Sequence, residues 1–254
     1  MCVCRSGCRF GSPGTTGDLV HRKLGVCYYP EHWPEDQWPR DAARMKAAGL
    51  TLVRIGEFAW SRLEPAPGEY DFGWLDRAIN ILANAGLRIV LGTPSATPPR
   101  WMLERFTDML AVEPQGNPRS FGSRRHYCHS HQGYRAAAAE MARTLGQRYG
   151  RDPRIGAWQI DNEYGCHDTV LSYSDAATHA FRDWLGQRYQ SIDALNRAWG
   201  NGFWSMVYAS FDDVALPHLT VTQANPAHEM AYRRLASDQL VAWIAAQVAA
   251  LRPL

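Results

Sequence analysis

Two nearly identical segments lie 37 residues apart in the chain. Residues 48–56 read AGLTLVRIG, and residues 85–92 read AGLRIVLG. In each copy a helical pattern ends at a glycine, Gly49 or Gly86, which suits the left-handed residue that follows a helix. A short apolar run bounded by a second glycine comes next, as is typical of a buried parallel strand. The repeat therefore predicts two successive helix–strand units.

The starts of the two helices are also marked in the sequence. Pro39 suits the first position of a helix over residues 39–48. Asp71 is a good N-cap for a second helix over residues 73–85. The second helix has an apolar face made of Leu75, Ala78, Ile79, Leu82 and Ala85.

Similar patterns along the chain give the order of the other elements. Strands are predicted at 24–29, 51–56, 88–93 and 155–163, and further helices near 98–105, 134–149, 175–189, 191–199 and 226–252, the last with Asn225 as N-cap and Pro226 at its first position. Alternating strands and helices indicate a parallel α/β fold, either a barrel or an open doubly wound sheet. No glycine-rich phosphate loop follows a predicted strand, which disfavours a dinucleotide-binding fold.

Polar side chains lie at the carboxyl end of every predicted strand. They are Glu31 and His32, Arg54 and Glu57, Thr93 and Ser95, and Asn162 and Glu163. A barrel enzyme places its active site at the carboxyl ends of its strands, so this distribution favours a barrel.

Composition narrows the class of protein. The 254 residues carry a formal net charge of +2 and no apolar run long enough to cross a membrane, so neither nucleic acid nor a membrane is the expected partner. Ten tryptophans and eleven tyrosines slightly favour a carbohydrate site. Residues 1–23 lack the apolar core of a secretory signal and are predicted to be a disordered lead-in, with a metal-binding tract as the alternative. Cys27, Cys128 and Cys166 are far apart, which favours a reduced, cytoplasmic protein.

Glu163 is the candidate general acid/base. A retaining glycosidase needs one carboxylic acid to protonate the leaving oxygen and a second carboxylate, about 5 Å away, as nucleophile. Glu163 follows an apolar strand, where burial would favour its neutral form, and Asn162 beside it could bind a sugar hydroxyl. Adjacent strand residues face opposite sides, so both reach one pocket only where the strand frays or bulges. The alternative is a surface Asn-Glu pair that begins a loop.

Several motifs together resemble one enzyme family. They are LGVCYYPEHW at 24–33, RIGEFAW at 54–60, GTPSATPP at 92–99, RRHYC at 124–128 and WQIDNEYGCHD at 158–168. They are similar to glycoside hydrolase family 42, the β-galactosidases, over residues 24–254, which match the N-terminal part of such an enzyme. The resemblance implies a TIM (β/α)8-barrel domain truncated after about four β/α units. It also implies retaining hydrolysis of terminal non-reducing β-D-galactosides.

The resemblance assigns a role to each site residue. Glu163 is the acid/base, Asn162 binds the sugar next to the anomeric centre, Arg54 binds galactose hydroxyls, and Trp204 lines the sugar pocket. Two simpler readings stay open: Arg54 could merely pair with Glu57, and Trp204 could be packed in the core. Glu57 is expected to hold Arg54 in place rather than to act on the substrate.

The family nucleophile has no match in this sequence. By resemblance it lies beyond residue 254, and Glu31 and Glu57 follow the wrong strands, so the chain alone is expected to be inactive. Two alternatives remain: a related retaining β-glycosidase such as an arabinopyranosidase, and a non-catalytic sugar-binding or split half-barrel. The family also implies a possible homo-oligomer, a trimer, for the full-length protein.

No metal or cofactor is predicted. Some family members bind structural zinc through four cysteines, whose positions correspond to Cys128, Ser172, Ser174 and Ala177 here. One thiolate cannot form a four-thiolate site. A mixed site is the alternative, made from His126, His129, His131, Cys166 and His167, whose spacing matches no usual zinc pattern.

Overall fold

The computed structural model describes residues 2–3 and 23–252, which form a five-stranded sheet and eight α-helices. The strands are β1 (Cys2–Val3), β2 (Gly25–Cys27), β3 (Leu52–Ile55), β4 (Arg88–Gly92) and β5 (Ile155–Gln159). The helices are α1 (Trp38–Ala47), α2 (Trp60–Leu63), α3 (Gly73–Asn84), α4 (Met102–Arg105), α5 (Gln132–Tyr149), α6 (Asp175–Tyr189), α7 (Ile192–Trp199) and α8 (Pro226–Leu251). Short 3-10 helices cover Pro30–His32, Glu35–Gln37, Cys166–Asp168, Phe203–Ser205 and Phe211–Asp213.

Four neighbouring strands of the sheet are parallel. Along the sheet the order is β1-β5-β4-β3-β2, and β2, β3, β4 and β5 each run parallel to the next. Only β1 is antiparallel, to β5. Because parallel neighbours that follow one another in the chain need a crossover between them, this order confirms the predicted strand–helix alternation.

The repeated segments adopt the same structure. Gly49 and Gly86 follow α1 and α3 with φ angles of 81° and 80°. The amide of the next residue reaches back into the helix in each case, Leu50 to the Met45 carbonyl and Leu87 to the Leu82 carbonyl, both at 3.1 Å. This is the hydrogen bond of a Schellman ending, which requires a left-handed residue and therefore favours glycine.

The predicted helix starts are correct at two of three places. Pro39 lies in the first turn of α1, and the Asn225 side chain accepts the Ala227 amide at 2.9 Å where α8 begins. The N-cap of α3 is Phe72 rather than Asp71. Asp71 lies one residue earlier, and its side chain accepts the Gly73 amide at 2.9 Å. It therefore provides a hydrogen-bond acceptor for the first amide of α3 although it is not the N-cap residue.

The chain divides into two compact units. The sheet unit comprises Met1–Pro99, Glu140–Asn162 and Gln247–Leu254, and the helical unit comprises Arg100–Ala139 and Glu163–Ala246. In the sheet unit the inward side chains of β3 and β4, together with one face of α3, are almost fully buried: Val53, Ile55, Leu75, Ile79, Ile89 and Leu91. In the helical unit the core contains Phe181, Leu185, Leu195, Trp199 and Tyr232.

Two expectations concern the chain as a whole. The disordered lead-in predicted for residues 1–23 lies almost entirely outside the described residues, and the grouping of 24–254 into one half-barrel domain stays a prediction. Among the helices that the structure describes, none has the length and apolar character to cross a membrane.

Candidate functional site

Arg54 on β3 is held between two side chains of the sheet unit. Its Nη2 lies 2.7 Å from Glu57 Oε1, and its Nη1 donates to Gln159 Oε1 at 2.7 Å. The remaining guanidinium nitrogen, Nε, has no hydrogen-bond partner among the described residues. The Arg54 side chain is 24% exposed, whereas Glu57 is fully buried. A ligand can therefore reach an arginine whose orientation is already fixed.

Glycines make room for Glu57. Gly56, directly before it, has a φ angle of 88°, which a side chain would disfavour. A Cβ added to Gly92 would lie 2.5 Å from the Cβ of Glu57. Burial raises the pKa of Glu57, and the Arg54 guanidinium counteracts that rise. The carboxyl is thus placed by backbone geometry and compensated by one cation.

Gln159 connects Arg54 to the end of β5. Its Nε2 donates to Asn162 Oδ1 at 3.0 Å and to the Asp161 carbonyl at 2.9 Å. A continuous path of one ion pair and two hydrogen bonds therefore runs from Glu57 through Arg54 and Gln159 to Asn162. The sequence did not reveal Gln159, because an alternating strand pattern does not show which polar side chain a distant arginine will contact.

The predicted strand 155–163 is too long. β5 ends at Gln159, and Asp161 and Glu163 have φ angles of 55° and 46°. These left-handed residues break the alternation of a strand, so Asn162 and Glu163 are not constrained to opposite faces. Asp161 is fixed through its amide, which donates to Thr93 Oγ1, and through its carboxylate, which accepts from Ser95 Oγ, both at 2.8 Å.

Glu163 belongs to the helical unit, where it pairs with Arg124. Arg124 Nη2 lies 2.8 Å from Glu163 Oε2 and 3.3 Å from His167 Nε2. The Glu163 side chain is 47% exposed, so the expectation of a buried carboxyl is wrong. The ion pair with Arg124 was also missed, although the RRHYC motif at 124–128 contains this residue.

A cavity of about 390 Å³ lies beside Arg124 within the helical unit. Arg119, Arg124, Arg125 and His126 line it. Arg125 is fully buried, and its Nε donates to Thr169 Oγ1 at 3.1 Å. Two consecutive arginines in the sequence were the available signal for this cavity.

Trp204 lies on the surface of the helical unit. It is 68% exposed, and its ring stacks on Phe203 with the centroids 4.8 Å apart. Both rings line a cavity of about 480 Å³, together with Trp199 and Asn225. Core packing, the simpler reading of Trp204, is therefore wrong. An exposed aromatic face is the kind of surface on which the apolar side of a sugar ring stacks.

Three of the four positions that correspond to zinc cysteines lack a thiol. Ser172 Oγ accepts the Val112 amide at 3.2 Å and contacts Ser174 Oγ, while Ser174 Oγ accepts the Ala177 amide at the start of α6. Cys128 is buried in the same core cluster as Ala177. The two hydroxyls are used in local hydrogen bonds and only one thiol is present, so these residues do not fit a zinc ion.

The histidines of the alternative mixed site have other partners. His131 Nε2 contacts Asp108 Oδ1 at 3.0 Å, and His126 Nδ1 contacts the Ser123 carbonyl at 3.1 Å. Burial lowers the pKa of His129 to about 3 and also lowers the pKa of His126. Within residues 23–252, no group of three or more His, Cys, Asp or Glu side chains is arranged to hold a metal ion.

Proteins of known sequence resemble this chain closely. It is 55% identical over 229 residues to a β-galactosidase of Thermus thermophilus, covering 90% of this chain and 36% of that protein. It is 47% identical over 219 residues to the β-galactosidase Bga of Halorubrum lacusprofundi, covering 86% of this chain and 31% of that protein. The chain thus spans about a third of the length of these relatives.

Solved structures show the same correspondence. The β-galactosidase of the psychrophilic Marinomonas ef1 superposes with a TM-score of 0.89 at 52% identity, covering 91% of this chain and 35% of that one. The matched part confirms the predicted truncated (β/α)8 barrel, because its four parallel strands follow one another in the order of the first barrel units. The sequence model of the β-galactosidase family matches residues 27–254. The chain therefore belongs to glycoside hydrolase family 42, the β-galactosidases.

Proposed function

We propose that residues 24–254 carry the sugar-binding and acid/base part of a cytoplasmic retaining β-galactosidase, which hydrolyses terminal non-reducing β-D-galactosides. One observation carries this proposal: the path Glu57–Arg54–Gln159–Asn162, made of an ion pair and two hydrogen bonds, which ends at the residue directly before Glu163 in the chain. The relatives named above are described as β-galactosidases, which supports the substrate class.

Three residues bind the sugar in this proposal. Arg54 offers the exposed part of its guanidinium to a galactose hydroxyl, while Glu57 and Gln159 hold the guanidinium plane. Asn162 contacts the hydroxyl next to the anomeric carbon, where hydrogen bonds strengthen as the oxocarbenium-like transition state forms. Trp204 supplies an aromatic surface for the apolar face of the sugar.

Glu163 transfers the proton. In the first step it protonates the glycosidic oxygen, and in the second step its carboxylate takes a proton from water. Its half-exposed position leaves the carboxyl open to a leaving group and to water. Arg124, 2.8 Å away, orients the Glu163 carboxyl in the absence of substrate, which adds one residue to the proposed site.

The nucleophile comes from outside residues 24–254 in this proposal. No carboxylate in this segment corresponds to it, since Glu31 and Glu57 follow β2 and β3 and Glu57 is committed to Arg54. The 254-residue chain by itself is therefore expected to show no double displacement, whereas a polypeptide that also supplies the second carboxylate should be active.

The test is Glu163→Gln in the polypeptide as its gene encodes it. Without a proton donor, hydrolysis of lactose-like substrates should fall at least about a thousandfold, whereas aryl galactosides with good leaving groups should lose much less in glycosylation. Azide should then restore turnover as a β-galactosyl azide product. Glu69→Gln, at an exposed carboxylate of the sheet unit, is the matched control and should behave like the wild type.

The outcome also separates the alternatives. Equal losses for both classes of leaving group, with no azide product, would contradict the role of Glu163. A panel of nitrophenyl glycosides distinguishes galactoside from arabinopyranoside specificity. Binding of galactose without hydrolysis of any substrate would instead support the non-catalytic sugar-binding half-barrel.

A further inference from the structure

Gln247 is a fully buried glutamine on α8, in a part of the helix that belongs to the sheet unit. Its Oε1 accepts the Thr93 hydroxyl at 2.7 Å and lies 3.2 Å from Ser95 Oγ. Its Nε2 has no hydrogen-bond partner among the described residues. A buried amide with an unsatisfied N–H is unfavourable, and methionine would fill a similar volume without that cost. The amide therefore indicates a role other than packing.

The two hydroxyls that Gln247 contacts are the ones that fix Asp161. Ser95 has a single hydroxyl proton, which it donates to Asp161 Oδ2 at 2.8 Å. The Thr93 hydroxyl donates to Gln247, which turns a lone pair of Thr93 Oγ1 toward the Asp161 amide, also at 2.8 Å. Without an acceptor at Gln247, the Thr93 hydroxyl would be free to rotate and to point its proton toward that amide.

Asp161 needs this support because its backbone is left-handed, with a φ angle of 55°. Such a conformation persists in a residue other than glycine only when its surroundings determine it. The Asp161 Oδ1 atom in turn accepts the Asn162 amide at 2.5 Å. The orientation of Asn162 thus depends on Asp161, and that of Asp161 on Thr93 and Ser95.

We propose that Gln247 is a positioning residue for the sugar-binding Asn162. Its carbonyl oxygen orients the Thr93 hydroxyl, which together with Ser95 holds Asp161 in the conformation that presents Asn162 to the sugar. This inference rests on the proposed function for its catalytic consequence, although the positioning itself is a property of the sheet unit. Gln247 does not touch the substrate.

The experiment compares Gln247→Met with the wild type in the polypeptide as its gene encodes it. Hydrogen exchange at the Asp161 amide should become at least tenfold faster in the variant. On nitrophenyl β-galactoside, kcat should fall ten- to hundredfold with a smaller change in KM, because the Asn162 contact strengthens in the transition state. On the 2-deoxygalactoside, which lacks the hydroxyl that Asn162 contacts, the two proteins should differ less than threefold.

Two further variants complete the test. Gln187→Met makes the same chemical change at an exposed position of α6 and should leave both exchange and kinetics unchanged. Gln247→Glu keeps the shape and the accepting oxygen. Its activity relative to the wild type should be near one at pH 5 and should fall as pH rises, because an ionised second carboxylate would lie beside Asp161.

Each outcome decides the inference. Unchanged exchange in Gln247→Met, or equal losses on the galactoside and the 2-deoxygalactoside, would overturn it. If Gln247→Met does not fold, equal losses of Gln247→Glu at pH 8 on the galactoside and the 2-deoxygalactoside would overturn it instead. A wild type that hydrolyses no galactoside would defeat the proposed function, and exchange at Asp161 would still decide whether Gln247 positions this segment.

Discussion

Glu31 lies in the 3-10 helix Pro30–His32 after β2, and its surroundings in the sheet unit stabilise a negative charge on its carboxyl poorly. Its Oε2 atom is buried without a hydrogen-bond partner among the described residues. Burial raises the pKa of Glu31 to about 7, the neighbouring Glu57 carboxylate adds to this rise, and Arg62 counteracts it. Glu31 therefore stays protonated well above the pH at which a free glutamate ionises.

This raised pKa predicts a pH dependence of stability. The folded protein holds the Glu31 proton up to about pH 7, whereas the unfolded chain releases it near the ordinary value of 4.5. The contribution of the protonated Glu31 to the free energy of unfolding is therefore fully present below pH 4.5 and is lost as pH rises through 7. The loss is at most about 3 kcal/mol. Glu31→Gln cannot ionise and should lose less stability between pH 5 and pH 8 than the wild type does.

The measurement is the free energy of unfolding by denaturant at both pH values. Glu69→Gln removes an exposed carboxylate of the same unit and serves as the control, since its pH dependence should match that of the wild type. A Glu31→Gln variant with the same pH dependence as the wild type would show that Glu31 is ionised in the folded state throughout this range.

At the scale of single residues, the sequence identified side chains at strand ends but not their partners. Arg54, Asn162 and Glu163 were found because polar residues after apolar strands stand out. The contacts of Arg54 with Gln159 and of Ser95 with Gln247 span 105 and 152 positions of the chain. Such pairings arise from tertiary packing, and no local pattern encodes them.

The contact between the end of β4 and the segment after β3 constrains both elements. Gly92 ends β4, and its missing side chain lets the backbone and Cβ of Glu57 approach closely. Gly92→Ala would place a methyl group 2.5 Å from Glu57 Cβ, a distance that forces these elements apart. We expect a loss of about 1–3 kcal/mol in stability, as for other overpacked interiors, and weaker sugar binding because Glu57 no longer holds Arg54.

Gly186 provides a matched comparison. It lies inside α6, and a Cβ added there meets no atom within 4 Å. Gly186→Ala should stabilise the protein by about 0.5–1 kcal/mol, since alanine is the better helix former. Denaturant titration measures both changes. If Gly92→Ala is tolerated as well as Gly186→Ala, close approach at Gly92 does not fix the position of Glu57.

At the scale of elements, the predicted bounds agree with most of the structure because the signals are local. Apolar periodicity and the glycines Gly49 and Gly86 place α1, α3, β3 and β4 within one or two residues. The errors arise where tertiary contacts decide. β5 ends at Gln159 because side chains from Thr93 and Ser95 hold Asp161 in a left-handed conformation.

At the scale of the whole molecule, the sheet ends at the short parallel strand β2. At the opposite end of the sheet, β1 pairs with β5. Among the strands that the structure describes, β2 pairs only with β3. Leu24, directly before this strand, is 58% exposed, and Val26, within it, is 39% exposed. A strand at the end of a sheet, with exposed apolar side chains, readily pairs with another chain through its outer edge.

We therefore expect the 254-residue polypeptide to associate through β2. Size-exclusion chromatography with light scattering should show a mass that rises with concentration, and Val26→Lys should shift the protein toward the monomer because an edge lysine opposes strand pairing. Val241→Lys, at an exposed position of α8, introduces the same charge away from the sheet edge and should leave the association unchanged. A monodisperse monomer with one sharp thermal transition would show that the β2 edge is not adhesive. If Val241→Lys disperses the protein as well as Val26→Lys does, added charge rather than the strand edge controls solubility.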